Sequence, residues 1–296
     1  FAALAADGSI AAWGHPSYGG VDPPTGTGYV AIHSTPSAFC AVRPDGSVTA
    51  WGEFGAGSDD APLSAVGLGT YFAANEAAFA TIGSDTRIYA WGSASGTPPT
   101  STGWAEVHAT RYAFVAVSTA GALAAFGDAS YGGTGAPGGT GYGQVTTTDA
   151  AFAAVRQPAG DLYCWGEASN GGTGCPSGGG FRQIFATAAA FAALRDDGTV
   201  HVWGDFNSGG ANGPVGSDWV TVYSTEHAFA ALRNDGSITA WGSNGQGGGG
   251  EPNGAGYVGL CATERAFAAL DSAGGVVAWG QAGYGGSGAP AGSGFQ

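Results

Sequence analysis

The chain has 296 residues, 58 of them Gly, with a charged fraction of only 10% and a formal net charge of −14. An acidic chain without Lys lacks the basic footprint that nucleic acid and anionic lipid require, so neither is expected as a partner. The 44% hydrophobic fraction, with 9 Trp, 11 Tyr and 15 Phe, excludes a disordered Gly-rich chain, because it supplies enough apolar surface to offset chain entropy.

Self-similarity organises everything else. A Phe in an AFAAL-like run recurs at Phe1, Phe39, Phe79, Phe114, Phe152, Phe191, Phe229 and Phe267, with spacings of 38, 40, 35, 38, 39, 38 and 38. Twelve residues later stands Trp13, Trp51, Trp91, Trp203, Trp241 or Trp279; the fourth repeat has Phe126 there, and an inserted residue places Trp165 at thirteen in the fifth. Each of these aromatics is followed by Gly. A Gly-rich stretch with a Pro follows, at Pro24, Pro62, Pro99, Pro137, Pro176, Pro214, Pro252 and Pro290. Then comes a third aromatic: Tyr29, Tyr71, Trp104, Tyr142, Phe181, Trp219, Tyr257 and Phe295. Most aromatics are therefore scaffold.

The best-formed copy runs from 220 to 257. Val220 to Ser224 alternates and is β-branched, Ala228 to Arg233 is a second strand, and Ile238 to Trp241 a third. Asn234-Asp235-Gly236 forms the hairpin between the last two, with Gly supplying a positive φ. The stretch from Gly242 to Gly256 has room for a short fourth strand, which Pro252 would hold at an edge. Phe229 and Ala231 point one way and Ala230 and Leu232 the other, so both faces need covering by neighbouring sheets. No helix is expected. Residues 1–296 read as a single repeat domain.

Chemistry-bearing residues are sparse. Cys164 and Cys175 lie within one repeat and are spaced for a short disulfide, whereas Cys40 and Cys261 read as buried small hydrophobes. Asp7, Asp45, Asp197 and Asp235 precede Gly at matching positions and read as turn acids, not calcium ligands. Glu53, Asp128, Glu167 and Asp205 after Trp-Gly, with Asp59 and Asp60, are the alternative as a weak cation rim. The five His residues, His15, His33, His108, His201 and His227, have no ligand-like spacing. No catalytic residue, metal site or cofactor is expected.

The run AFAALRNDGSITAWGSNGQGG, preceded by a VTVYST strand, resembles the repeat of the regulator of chromosome condensation family in its short bacterial form, over essentially the whole chain. The resemblance implies a β-propeller with four-stranded blades, usually seven. The loop after Trp-Gly departs from the family's Gly-Gln-Leu-Gly except for a partial match at Asn244 to Gly247. Eight Phe–Trp units also exceed seven blades, and the chain ends eight residues short of eight units of 38. The expected fold is all-β, a propeller of eight repeats, seven complete and one lacking a strand; an open superhelical or filament-forming array is the alternative.

Two functions follow from these features. The first is a non-enzymatic, extracellular structural subunit of a filament or surface structure, self-associating by strand complementation at the chain ends. A chain without Met that begins at Phe1 reads as a processed product or a segment of a longer one. The second is a propeller module that binds a protein partner through loops on one face, with the irregular second and third repeats supplying Phe54, Asp59, Asp60, Phe72, Glu76, Arg87 and Arg111.

Overall fold

The computed structural model describes residues 1–58, 61 and 67–296. Asp59, Asp60 and Pro62 lie outside the described residues. Two compact units divide the chain, Phe1–Tyr142 and Gly143–Gln296. Each is a tandem series of small antiparallel sheets, so the expected all-β class holds.

The seventh sheet shows the plan. Its leading strand is Trp219–Ser224, its central strand Ala228–Arg233 and its trailing strand Ile238–Gly242, paired in that order. The second to eighth sheets each have these three strands, and the first has two, Ala2–Leu4 and Ile10–Ala12. The strand lacking from the eight repeats is thus the leading strand of the first.

No fourth strand forms among the described residues. After the trailing strand the chain instead makes a tight turn, and in the first and the third to seventh repeats it crosses back to begin the next sheet. In six repeats that turn is a three-residue 3-10 helix: Pro16–Tyr18, Ala129–Tyr131, Ala168–Asn170, Phe206–Ser208, Asn244–Gln246 and Ala282–Tyr284. Four-stranded blades and a helix-free chain are therefore both corrected. The cause lies in the Gly-rich composition: a run without alternating side chains has nothing to pack as a strand, while Gly permits the left-handed cap that ends each turn.

The core lies between sheets. Ala228, Ala230, Leu232 and Ile238 of the seventh sheet meet Leu260, Phe267, Ala269 and Trp279 of the eighth. Ala190, Ala192 and Leu194 of the sixth meet Val222, Phe229, Ala231 and Trp241 of the seventh. Each face sets small side chains beside large ones, as the Phe229/Ala231 and Ala230/Leu232 alternation predicts, so Ala228 and Ala230 make room for Phe267 and Trp279. Phe229 and Trp241 pair across strands with ring centroids 5.3 Å apart. Burying a Phe of this kind contributes about 1.5–3 kcal/mol, and Phe79, Phe114, Phe152, Phe191 and Phe229 are all fully buried.

Three sets of hydrogen bonds fix how the sheets meet. At one edge, the N–H of each repeat's third aromatic donates to the hairpin of the sheet before it: Phe181 to the Gly160 carbonyl, Trp219 to Gly198 and Tyr257 to Gly236, at 3.0–3.1 Å. A Cβ at Gly236 would lie 2.5 Å from the Tyr257 nitrogen, and its φ is +80°, so Gly is required there twice over. At the other edge, the indole N–H of Trp51, Trp91, Trp203, Trp241 and Trp279 donates to the carbonyl of Gly19, Gly57, Gly171, Gly209 and Gly247 in the turn of the preceding repeat, at 3.0–3.1 Å. The hairpins joining leading and central strands form a third series along the same edge, with Asp149 donating to Ala188, Ala188 to Glu226 and Glu226 to Glu264, each at 2.8 Å.

A Thr, buried at 148, 187 and 225 and exposed at 263, secures those hairpins. Thr187 accepts from the Ala190 N–H at 3.0 Å and donates to the Ser208 carbonyl at 3.0 Å, which ties the hairpin to the 3-10 turn. Thr35, Thr110, Thr148, Thr225 and Thr263 repeat the tie. Thr187→Val keeps the shape but strands a buried donor and acceptor, so it is expected to cost about 1–3 kcal/mol in urea unfolding. Thr263→Val, made where the same bonds are exposed, is expected to cost less. Trp203→Phe leaves the Gly171 carbonyl without its donor and is expected to lower stability by about 1–3 kcal/mol in the same measurement.

Candidate functional site

The two edges differ in chemistry. At the hairpin edge, Asp7, Asp45, Asp197 and Asp235 accept from the backbone N–H of Ser9, Ser47, Thr199 and Ser237 at 2.8–2.9 Å. These bonds hold the carboxyls below their ordinary range, led by the backbone bond to Ser9 for Asp7 and by the hydroxyl bonds of Ser47, Thr199 and Ser237 for the other three. One oxygen of each, Oδ1, is thus committed to its own turn. Arg43, Arg195 and Arg233 lie over Tyr29, Phe181 and Trp219, with the guanidinium carbon 4.1–4.5 Å from the ring centroids.

The turn edge carries the acids after Trp-Gly. Asp128 accepts from the Ser130 N–H at 2.8 Å, and Asp205 accepts from both the N–H and the hydroxyl of Ser208 at 2.8 Å. They cap the 3-10 turns. Among the described residues no three His, Cys, Asp or Glu side chains converge to hold a metal ion. The His side chains are spread out: His33 stacks on Phe72 at 4.2 Å and His15 on Tyr18 at 4.6 Å, while His108 contacts Glu106 and His227 contacts Ser208, each at 3.0 Å. His201 meets the Phe181 ring edge-on at 5.4 Å. Burial lowers the pKa of both His33 and His201.

Cys164 and Cys175 form a disulfide with Cα atoms 6.0 Å apart, fastening a trailing strand to the return crossing beside it. Cys40 is buried, and its thiol is pushed up to about 12 by desolvation. Cys261 is exposed, contrary to expectation. It lies on the outward face of the eighth sheet, at the position that Tyr223 fills in the seventh, where Tyr223 packs against the following sheet.

The candidate partner-binding residues separate. Phe54 stands on the turn edge, 85% exposed. Arg111 is on the same edge, 3.3 Å from Glu76, where the Glu76 N–H also donates to the Arg111 carbonyl. Phe72 is not a surface residue: it packs partly buried between the second and third sheets, against His33 and edge-on to Trp91. Arg87 lies at the opposite edge beside Asp85, at 3.8 Å.

Between the third and fourth sheets the turn edge is interrupted. The third repeat is three residues short, at 35, and makes no 3-10 turn. A gap of about 390 Å³ stands there, lined by Ala77, Ser93, Gly96, Tyr112 and Asp128 among others. Two substitutions match this shortening. Phe126 replaces the Trp whose indole would have bonded the absent turn, removing a donor that would be buried without a partner. Asn75 replaces the Thr of the hairpin, and its longer side chain reaches the Ala94 carbonyl at 3.5 Å in place of the turn. Tyr112 was not singled out from sequence, and Asp128 was read there only as part of a weak cation rim; the short spacing, Phe126 and Asn75, taken together, are the signal that marks this gap.

No protein-family model matches the chain, and no curated protein matches it. Solved structures do. The ectodomain of the Physcomitrella patens receptor kinase CR4 is 15% identical, covering 84% of this chain and 72% of that one, with a TM-score of 0.49. The CRINKLY WD40 ectodomain of the Arabidopsis thaliana receptor kinase ACR4 is 19% identical over 91% of this chain and 98% of that one, with a TM-score of 0.47. Prp20p from Saccharomyces cerevisiae, whose structure is described with its binding to Gsp1p and histones, is 15% identical over 74% and 73%, with a TM-score of 0.44. The yeast protein is an RCC1, of the family that the repeat resembles in sequence.

Proposed function

We propose that the chain is a non-enzymatic structural module that stacks end to end with further copies of itself, in an extracellular filament or surface structure. One observation supports the reading above others: the first and eighth sheets present the two complementary halves of the junction repeated inside the chain. The eighth sheet offers Ala268, Leu270 and Val276, around an apolar hollow of about 290 Å³ that Cys261 and Phe295 also line. These residues correspond to Ala230, Leu232 and Ile238, which receive Phe267 and Trp279. The first sheet offers Phe1 and Trp13, stacked at 5.8 Å and 78% and 52% exposed. An extracellular place is supported by the disulfide. No helix among the described residues is long and apolar enough to cross a membrane.

Sedimentation of the chain from about 1 μM to about 1 mM tests this. Growth of the species with concentration is expected, together with protection of Cys261 from alkylation. Ala268→Arg, which places a charge in the receiving face, is expected to raise the association midpoint at least about tenfold. A monomer at every concentration, with Cys261 equally reactive throughout, would contradict the reading. A second reading, recognition of a protein partner through the turn edge, is favoured by the gap in the third repeat.

A further inference from the structure

The gap is where the turn edge departs from its own rule, and the departure is compensated on three sides. The turn is shortened, Phe126 withdraws the indole donor and Asn75 extends to the Ala94 carbonyl. The residues around the open space are thus adjusted to the shortened turn. Its walls combine a carboxylate with an aromatic ring: Asp128 and Tyr112 line it, and Tyr131 meets Tyr112 edge-on at 4.8 Å. The Arg111 charge on its rim is engaged by Glu76 at 3.3 Å. Phe54 flanks it, since the Gly55 carbonyl next in sequence accepts from the Ser93 N–H at 2.8 Å.

We propose that this notch is a recognition site for a Lys or Arg side chain carried on a tight loop of a partner protein. Charge complementarity argues for the cation: Asp128 supplies an acceptor, the Tyr112 ring already serves as a cation–π face for Arg111 at 5.7 Å from its centroid, and the chain as a whole carries −14. Size argues for a loop, because the volume stands where other repeats place three residues of their own. Phe54, exposed beside the notch, supplies the apolar contact that a protein partner would cover. This site rests on the recognition reading and is independent of end-to-end stacking.

The test is NMR of the labelled chain titrated with acetyl-Gly-Arg-Gly-amide and acetyl-Gly-Lys-Gly-amide to about 20 mM, against the norleucine peptide as neutral control. Saturable shifts confined to Ser93, Gly96, Tyr112, Gly127 and Asp128 are expected with the cationic peptides alone. Asp128→Asn keeps an acceptor for the Ser130 N–H and so retains the fold, but is expected to weaken binding at least about fivefold. A filled variant, with a three-residue turn inserted after Ser93 together with Phe126→Trp and Asn75→Thr, is expected to abolish the shifts and leave sedimentation unchanged. An equal response to the norleucine peptide, or one that survives filling, overturns the site. Saturable shifts at Phe206 or Tyr284 instead would overturn the notch while leaving edge recognition standing, and no response anywhere overturns both.

Discussion

The structure depends on how one sheet meets the next, and a tryptophan N–H sets that meeting. Apolar packing of Phe against Ala is non-directional and permits sliding. The bond from Trp241 to the Gly209 carbonyl, made in a buried place, does not. It requires the preceding repeat to present a turn with its carbonyl in one position. Gly209 ends that turn at φ +94°, and a Cβ there would lie 2.6 Å from the Phe229 ring. Ring, indole and glycine therefore specify one another across the junction, and the same set recurs at Gly171 and Gly247.

This coupling explains why the third repeat changes at several places at once. Loss of three residues shortens the turn and leaves out its 3-10 helix, so an indole at position 126 would lack the acceptor that helix ends on, and Phe stands there instead. The Phe114–Phe126 stack, at 5.3 Å, keeps the apolar half of the junction. What remains is a junction held by packing and by the backbone bonds from Trp104 to Thr86 and from Glu76 to Arg111, with open space at its edge. A site can be created in a repeat protein by such subtraction, without adding any ligand-binding residue to the scaffold.

Much of this was legible in the sequence. The Phe and Trp periods fix the central and trailing strands, and Ala228–Arg233 has the bounds expected from its alternation. The two-faced pattern at Phe229 to Leu232 gives the inter-sheet core because strand periodicity assigns faces without reference to neighbours. The Gly-rich segments were misread as room for a fourth strand, since a strand signal is a side-chain signal and these segments carry few side chains. The Thr ties were hidden for a different reason: Thr187 and Thr225 look like ordinary β-branched strand residues, and their roles depend on a carbonyl 21 residues away. Phe72 was misplaced because an aromatic in an irregular repeat looks spare until its stack with His33 is seen. Tyr112 occupies an unremarked turn position, and Asp128 looks like one acid among the several that follow Trp-Gly; only the coincidence of a short spacing, Phe126 and Asn75 marks their neighbourhood.

A double-mutant cycle tests the coupling of turn and indole most directly: Phe126→Trp, the three-residue turn insertion in the third repeat, and both together, each measured by urea unfolding. Each change alone strands a buried polar group or crowds the junction, and is predicted to lower stability. The pair is predicted to recover most of the loss, with a coupling of about 1–3 kcal/mol. Additive losses with no recovery would contradict the account.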